Sequence, residues 1–225
     1  MSALIYQPGD LRPGDIFLGP IGGLVGLGVG LGQLALGEGF RLGKLSIRHA
    51  GIITHVDSMG VLLAQAMPGG AEIVPIERDE HWTERCAYVR LPEDYPGQAQ
   101  DAAAVARAMV KAGVGYSYAS YLSLGLYRFG VRHDRLLSYI NRRQEPIRLD
   151  DFGPNDWPTQ VRLPREAICS VFVDQAWTLA GKKVVQDVRP QAVTPGMLAE
   201  TLISFPGTVW CRPRGEHLPA VTWQV

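Results

Sequence analysis

A chain of 225 residues, 46% hydrophobic and 20% charged, has the length and composition of a single folded domain spanning residues 1 to 225 with one sizeable core. Lysine plus arginine equals aspartate plus glutamate at 22 each, so no net field draws a polyanion, and nucleic acid is disfavoured as a partner. Three cysteines, Cys86, Cys169 and Cys211, stand far apart with no CxxC or CxxH spacing, so neither a disulfide framework nor a metal site is specified.

The start of the chain, MSALIYQPGD, lacks the basic residues and apolar run of a signal peptide, which suggests a cytoplasmic or virion-associated protein. The turn-forming RPGD leads into a short strand, GDIFL, at 14 to 18. Residues 19 to 37, GPIGGLVGLGVGLGQLALG, then carry no charge and eight glycines over a length close to a bilayer span. A span is disfavoured, because each interior glycine costs a helix about 1 kcal/mol relative to alanine and the flanks lack aromatic anchors. Gly22, Gly26 and Gly30 recur every four residues, so a helix here presents a flat ridge for close backbone packing or for an assembly partner. No GxGxxG is satisfied, since the third glycine falls on Gln33 or Ala35, and no GK[ST] follows; no phosphate cradle and no cofactor are implied. The glycine-rich stretch reads as an insertion at 19 to 43.

Four strand-like runs follow, SIRHAGIITHV (46 to 56), VLLAQAM (61 to 67), AEIVPIE (71 to 77) and CAYVRL (86 to 91), and together they predict an antiparallel meander. Alanine-rich GQAQDAAAVARAMVKA at 97 to 112, closed by Gly113, predicts a helix. YSYASYLSLGLYRF and HDRLLSYINRR give two further helical pieces. Residues 144 to 166 are proline-bearing and aperiodic, a long loop that leads toward a cysteine and suits a substrate-facing position. A helix then runs from Cys169 to its closure at Gly181. TPGMLAETLI is a second helix, capped by Thr194 with Pro195 at its first position. Strands are expected at TVWCR and AVTWQ.

Cys169 stands in the first turn of its helix, where unpaired N–H groups and the positive end of the dipole favour the thiolate, the nucleophilic form of cysteine. A buried thiol acting as a small hydrophobe is the competing reading, and it is the one that fits Cys86 and Cys211 within their strand runs. A nucleophilic thiol needs an imidazole. His81, His133 and His217 lie in polar contexts. His49 and His55 share one strand and, by alternation, one face, yet six residues separate them by about 20 Å, so only one of them can serve a given cysteine. His49 is the better base because it begins the strand beside the small Ala50 and Gly51. Gln65, the polar residue within VLLAQAM, is the candidate to hold the imidazole. It faces His49 directly if the hairpin loop is His55 to Met59, and is displaced along the strand by a tighter turn at Asp57 to Gly60.

The succession PGDI, HAGI, AQA, GVGYSY, CSVFV and VTPGMLAET, over about residues 11 to 205, resembles the circularly permuted papain-like cysteine hydrolases of the NlpC superfamily, in the YiiX-like branch related to lecithin:retinol acyltransferase. The order is the specific part, since ordinary papain-like enzymes have the cysteine before the histidine. The resemblance implies an α+β fold of permuted papain-like (NlpC) type, an antiparallel sheet packed by helices. It further implies Cys169 as nucleophile, His49 as base, position 65 as the third polar residue and Tyr116 lining the substrate site. The substrate would be a cell-wall peptide, another amide or an acyl lipid, attacked to give an acyl-cysteine. A non-catalytic module of the same fold, such as a phage-particle or secretion-apparatus component, is the alternative. Two positions depart from the family pattern: Gln65 replaces an acidic residue, and Val171 replaces a glutamate after CS.

Overall fold

The computed structural model describes residues 4–6, 10–22, 26, 29, 33, 47–58, 60–76, 86–94, 97–117, 144–147, 161–186, 188 and 193–213. Eleven strands occur among them: β1 (Leu4–Tyr6), β2 (Ile16–Gly19), β3 (His49–Asp57), β4 (Gly60–Met67), β5 (Gly70–Pro75), β6 (Ala87–Arg90), β7 (Gly115–Tyr116), β8 (Gln144–Ile147), β9 (Val161–Pro164), β10 (Glu166–Ala167) and β11 (Val209–Pro213). Helices α1 (Gln98–Lys111), α2 (Cys169–Leu179) and α3 (Pro195–Ser204) accompany them. The class is α+β.

The main sheet has seven strands in the order β1-β11-β6-β2-β3-β4-β5, and all of its pairings are antiparallel except β1 on β11 at the edge. Only β3, β4 and β5 form the expected meander. β6 returns across the sheet to the far side of β2, where Phe17 pairs with both Gly51 and Tyr88. β2, whose four residues are all buried, thus has a strand on each edge.

Alternation along the strands makes two cores. Ile16, Leu18, Ala50, Ile52, Ala64, Ala66 and Val89 point to the face covered by α1 and α2, where Ala102, Val105, Met109, Phe172, Val173 and Ala176 meet them. Phe17, Ile53, Leu63 and Tyr88 point to the other face and pack with Leu11, Ile76 and Cys86. The small alanines of α1 let it lie close to the sheet. Gly14 shows how tight this is, for its φ of 94° suits glycine and a Cβ there would come 2.6 Å from the Ala99 carbonyl oxygen. Asp15 next to it is buried and accepts from Arg90 Nε (2.8 Å) and Nη2 (2.6 Å), which ties the turn before β2 to β6.

The two helices after the cysteine run as expected. Thr194 Oγ1 accepts from the Met197 N–H at 3.1 Å and Pro195 opens α3. The loop at 144 to 166 differs from expectation, because its ends fold: β8 and β9 pair antiparallel and β10 follows. Its Pro146 and Pro164 fall in alternate pairs of the β8–β9 ribbon, Pro146 with Arg162 and Pro164 with Gln144, and a missing N–H is tolerated on such a ribbon where that position faces the open edge. The expected helical pieces at 116 to 129 and 133 to 143 lie outside the described residues beyond Ser117, as does the last strand, AVTWQ.

In the glycine-rich segment Gly26, Val29 and Gln33 are helical, and Val29 and Gln33 are buried. The expected ridge of three glycines against one facing backbone is not what the two described members show. Gly22 has nothing within 4 Å of its Cβ position, whereas a Cβ on Gly26 would run into the carbonyl of Ile21, a residue of the same segment; Gly30 lies outside the described residues. Gly26→Leu is therefore expected to cost about 1–3 kcal/mol through overpacking, and Gly22→Leu less than about 0.5 kcal/mol. Melting temperatures of the two variants check this, and an unshifted Gly26→Leu contradicts it. Among the described residues no helix is long and apolar enough to cross a membrane.

Candidate active site

The sheet register sets the start of β3 and the β4–β5 turn at one end of the sheet. β3 begins with His49 opposite Gly19, the last residue of β2, while β4 ends and β5 begins at the pair Met67 and Gly70. At that same end the Ala71 N–H donates to the Val114 carbonyl at 2.8 Å, hooking the segment that becomes β7 onto β5. β7 pairs with β10 so that Tyr116 lies beside Ala167, and the Ser117 N–H donates to the Ala167 carbonyl at 3.2 Å. Two residues further on, Cys169 opens α2. β7, β10 and the start of α2 thus follow one another from the end of the sheet at which β5 begins.

His49 and Gln65 touch. His49 Nε2 and Gln65 Oε1 are 2.7 Å apart, with both residues buried to 2% and 1% exposure. The hairpin takes the tighter of the two turns considered, pairing Asp57 with Gly60, so Gln65 stands opposite Gly51 rather than His49. The hydrogen bond crosses diagonally on one face. The Phe17 ring meets the imidazole edge to face, with centroids 6.0 Å apart, and fixes its plane. On its other side the Gln65 amide donates from Nε2 to Glu72 Oε1 at 3.0 Å. Glu72 is the direct cross-strand partner of Gln65 on β5.

Burial pushes the His49 imidazole down to about 4, against smaller upward pulls from the Gln65 hydrogen bond and the Glu72 charge. The ring is neutral at neutral pH. A neutral imidazole can take a proton, and an anion forming beside it would raise its affinity for one.

His55 occupies a different place from the one alternation implies. A register shift between Ile53 and His55 puts Ile53 opposite Leu63 and His55 opposite Leu62, which turns His55 to the face away from His49. His55 is exposed and bonded to Asp57 Oδ2 at 2.9 Å. His81, His133 and His217 lie outside the described residues.

Cys169 is the first residue of α2, 1% exposed, behind an Ile168 N-cap that offers no side-chain acceptor and with no acid in the first turn. Isoleucine is among the poorest N-caps, so this helix start is not arranged for helix stability. The next residue anchors it: Ser170 Oγ donates to the Val193 carbonyl at 2.6 Å, just before α3. The body of α2 packs on the Ala50 and Ile52 face, whereas the His49 side chain belongs to the Phe17 face. An approach of the Cys169 sulfur to the imidazole would thus have to pass around the end of β3, not across its middle. Tyr116 is half-buried against the helix-side core. Cys86 is buried in the second core, as its strand context implied, and the Cys211 side chain lies outside the described residues.

Sequence reasoning missed Glu72, Ser170 and Gln33. Gln33 donates from Nε2 to the Ile47 carbonyl at 3.0 Å, and so ties the glycine-rich segment to the residues that enter β3. The AEIVPIE run did carry a signal for Glu72, a lone acid at mid-strand whose partner is set by the turn at PGG. Compared with known protein families and with curated proteins, the chain matches none.

Proposed function

We propose that the protein is a thiol hydrolase of amide or ester bonds, with the circularly permuted papain-like fold that its sequence order resembles. The observation that carries this reading is the buried, hydrogen-bonded His49–Gln65 pair at the sheet end where Cys169 opens its helix. Gln65 Oε1 meets Nε2 of the ring, so the proton transfer is assigned to Nδ1. In the reaction Cys169 Sγ attacks the carbonyl carbon while its proton passes to Nδ1. The first-turn N–H groups of α2, which Ile168 does not cap, are the donors at hand for the oxyanion. The C–N or C–O bond then breaks as His49 returns the proton to the leaving group, and an acyl-cysteine remains. Water, activated by the same ring, releases the acid; an acceptor hydroxyl or amine in its place makes the protein an acyltransferase. Tyr116, beside the residues that lead into Cys169, would contact a peptide, amide or acyl substrate.

The burial of both Cys169 and His49 favours a second reading, a non-catalytic binding module that keeps the fold without turnover. p-Nitrophenyl acetate separates the two. The hydrolase reading predicts a nitrophenolate burst and an acetyl group on Cys169 by peptide mass spectrometry, both absent from Cys169→Ser. Gln65→Ala should slow the burst about tenfold, less than loss of the base itself. A wild-type protein that acquires no acetyl group on Cys169 is a binding module.

A further inference from the structure

We propose that Glu72 is a positioning residue for the base: by fixing which way the Gln65 amide points, it sets the tautomer of His49. The inference rests on reading His49 as the base for Cys169. An ionised carboxylate only accepts hydrogen bonds, so the end of the Gln65 amide that meets Glu72 Oε1 at 3.0 Å must be its NH2 group. The amide oxygen is then the end that meets His49 Nε2 at 2.7 Å, and an oxygen there requires a hydrogen on Nε2. A neutral imidazole with its hydrogen on Nε2 has its lone pair on Nδ1, the nitrogen that the proposed proton transfer uses. Flipping the amide would set two acceptors against each other at Glu72 and allow the other tautomer.

The same geometry accounts for glutamine at position 65. Glu72 is its direct cross-strand partner, so a carboxylate at 65 would lie against a second carboxylate, and one of the two would have to take up a proton. With glutamine the acid acts from one strand further out, where it is exposed to solvent.

Charge reversal at this exposed position is the test, read by the ring 15N shifts of His49 and by acetylation of Cys169 with p-nitrophenyl acetate. In the wild type His49 should be the Nε2–H tautomer. Glu72→Lys offers a donor instead of an acceptor, so it should flip the amide, convert His49 to the Nδ1–H tautomer and slow acetylation by about two orders of magnitude. Combining Glu72→Lys with Gln65→Glu should restore both, because a carboxylate at 65 again accepts from Nε2–H. A purely structural role for Glu72 would not give a tautomer switch with this rescue. If Glu72→Lys leaves the Nε2–H tautomer in place, the role assigned to Glu72 is wrong and the hydrolase reading stands. If the tautomer switches and acetylation keeps its rate, His49 is not the base, and both fall.

Discussion

Between pH 6.5 and pH 4 the folded protein should lose about 3 kcal/mol of stability that a His49→Gln variant does not lose. The imidazole takes up a proton at about 6.5 in the unfolded chain and at about 4 in the fold, where burial opposes the charge. Above 6.5 neither state holds the proton and the fold suffers no penalty. As the pH falls from 6.5 toward 4 the unfolded state gains the proton and the folded state does not, so stability declines across that window and levels off below it. Asp174 titrates in the opposite sense, since burial raises its carboxyl and acid then favours the fold. That contribution is common to both proteins and cancels in the difference. Urea unfolding midpoints from pH 4 to 7 measure it, and parallel pH slopes for wild type and variant contradict the buried neutral imidazole.

His49→Ala should reduce acylation of Cys169 by roughly 10²–10⁴-fold, the usual contribution of a positioned general base. His55→Ala should leave the rate unchanged, because the register shift in β3 turns that ring to the other face and its partner is Asp57 in solvent. The two histidines lie on one strand, six residues apart, so the pair of variants separates a positional effect from a general weakening of β3. An active His49→Ala with an inactive His55→Ala reverses the assignment.

The strands and helices that position the site were legible because their signals are local. Alternation in HAGIITHV, the alanines of α1, and Thr194 with Pro195 at the start of α3 each fix an element within a few residues. What lies between strands was less legible. That β6 crosses to pair with β2 depends on which buried edge is left open, a tertiary matter absent from CAYVRL itself. The one-residue irregularity near Thr54 is equally silent in sequence, yet it decides which face His55 takes. At the site, Cys169, His49 and Gln65 could be named from residue type and helix or strand position, whereas Glu72 required the β4–β5 register, because its role depends on standing opposite Gln65.

The most direct measurement is the rate at which iodoacetamide alkylates each cysteine of the folded protein at neutral pH, followed peptide by peptide in wild type and His49→Ala. Cys169 and Cys86 are 1% and 2% exposed, so access alone gives them similar, slow rates. Activation by a helix start and an imidazole predicts instead that Cys169 reacts about tenfold or more ahead of Cys86 and Cys211, and that His49→Ala removes this lead. Equal rates for all three cysteines, or a Cys169 rate indifferent to His49, would contradict Cys169 as the nucleophile and His49 as its base.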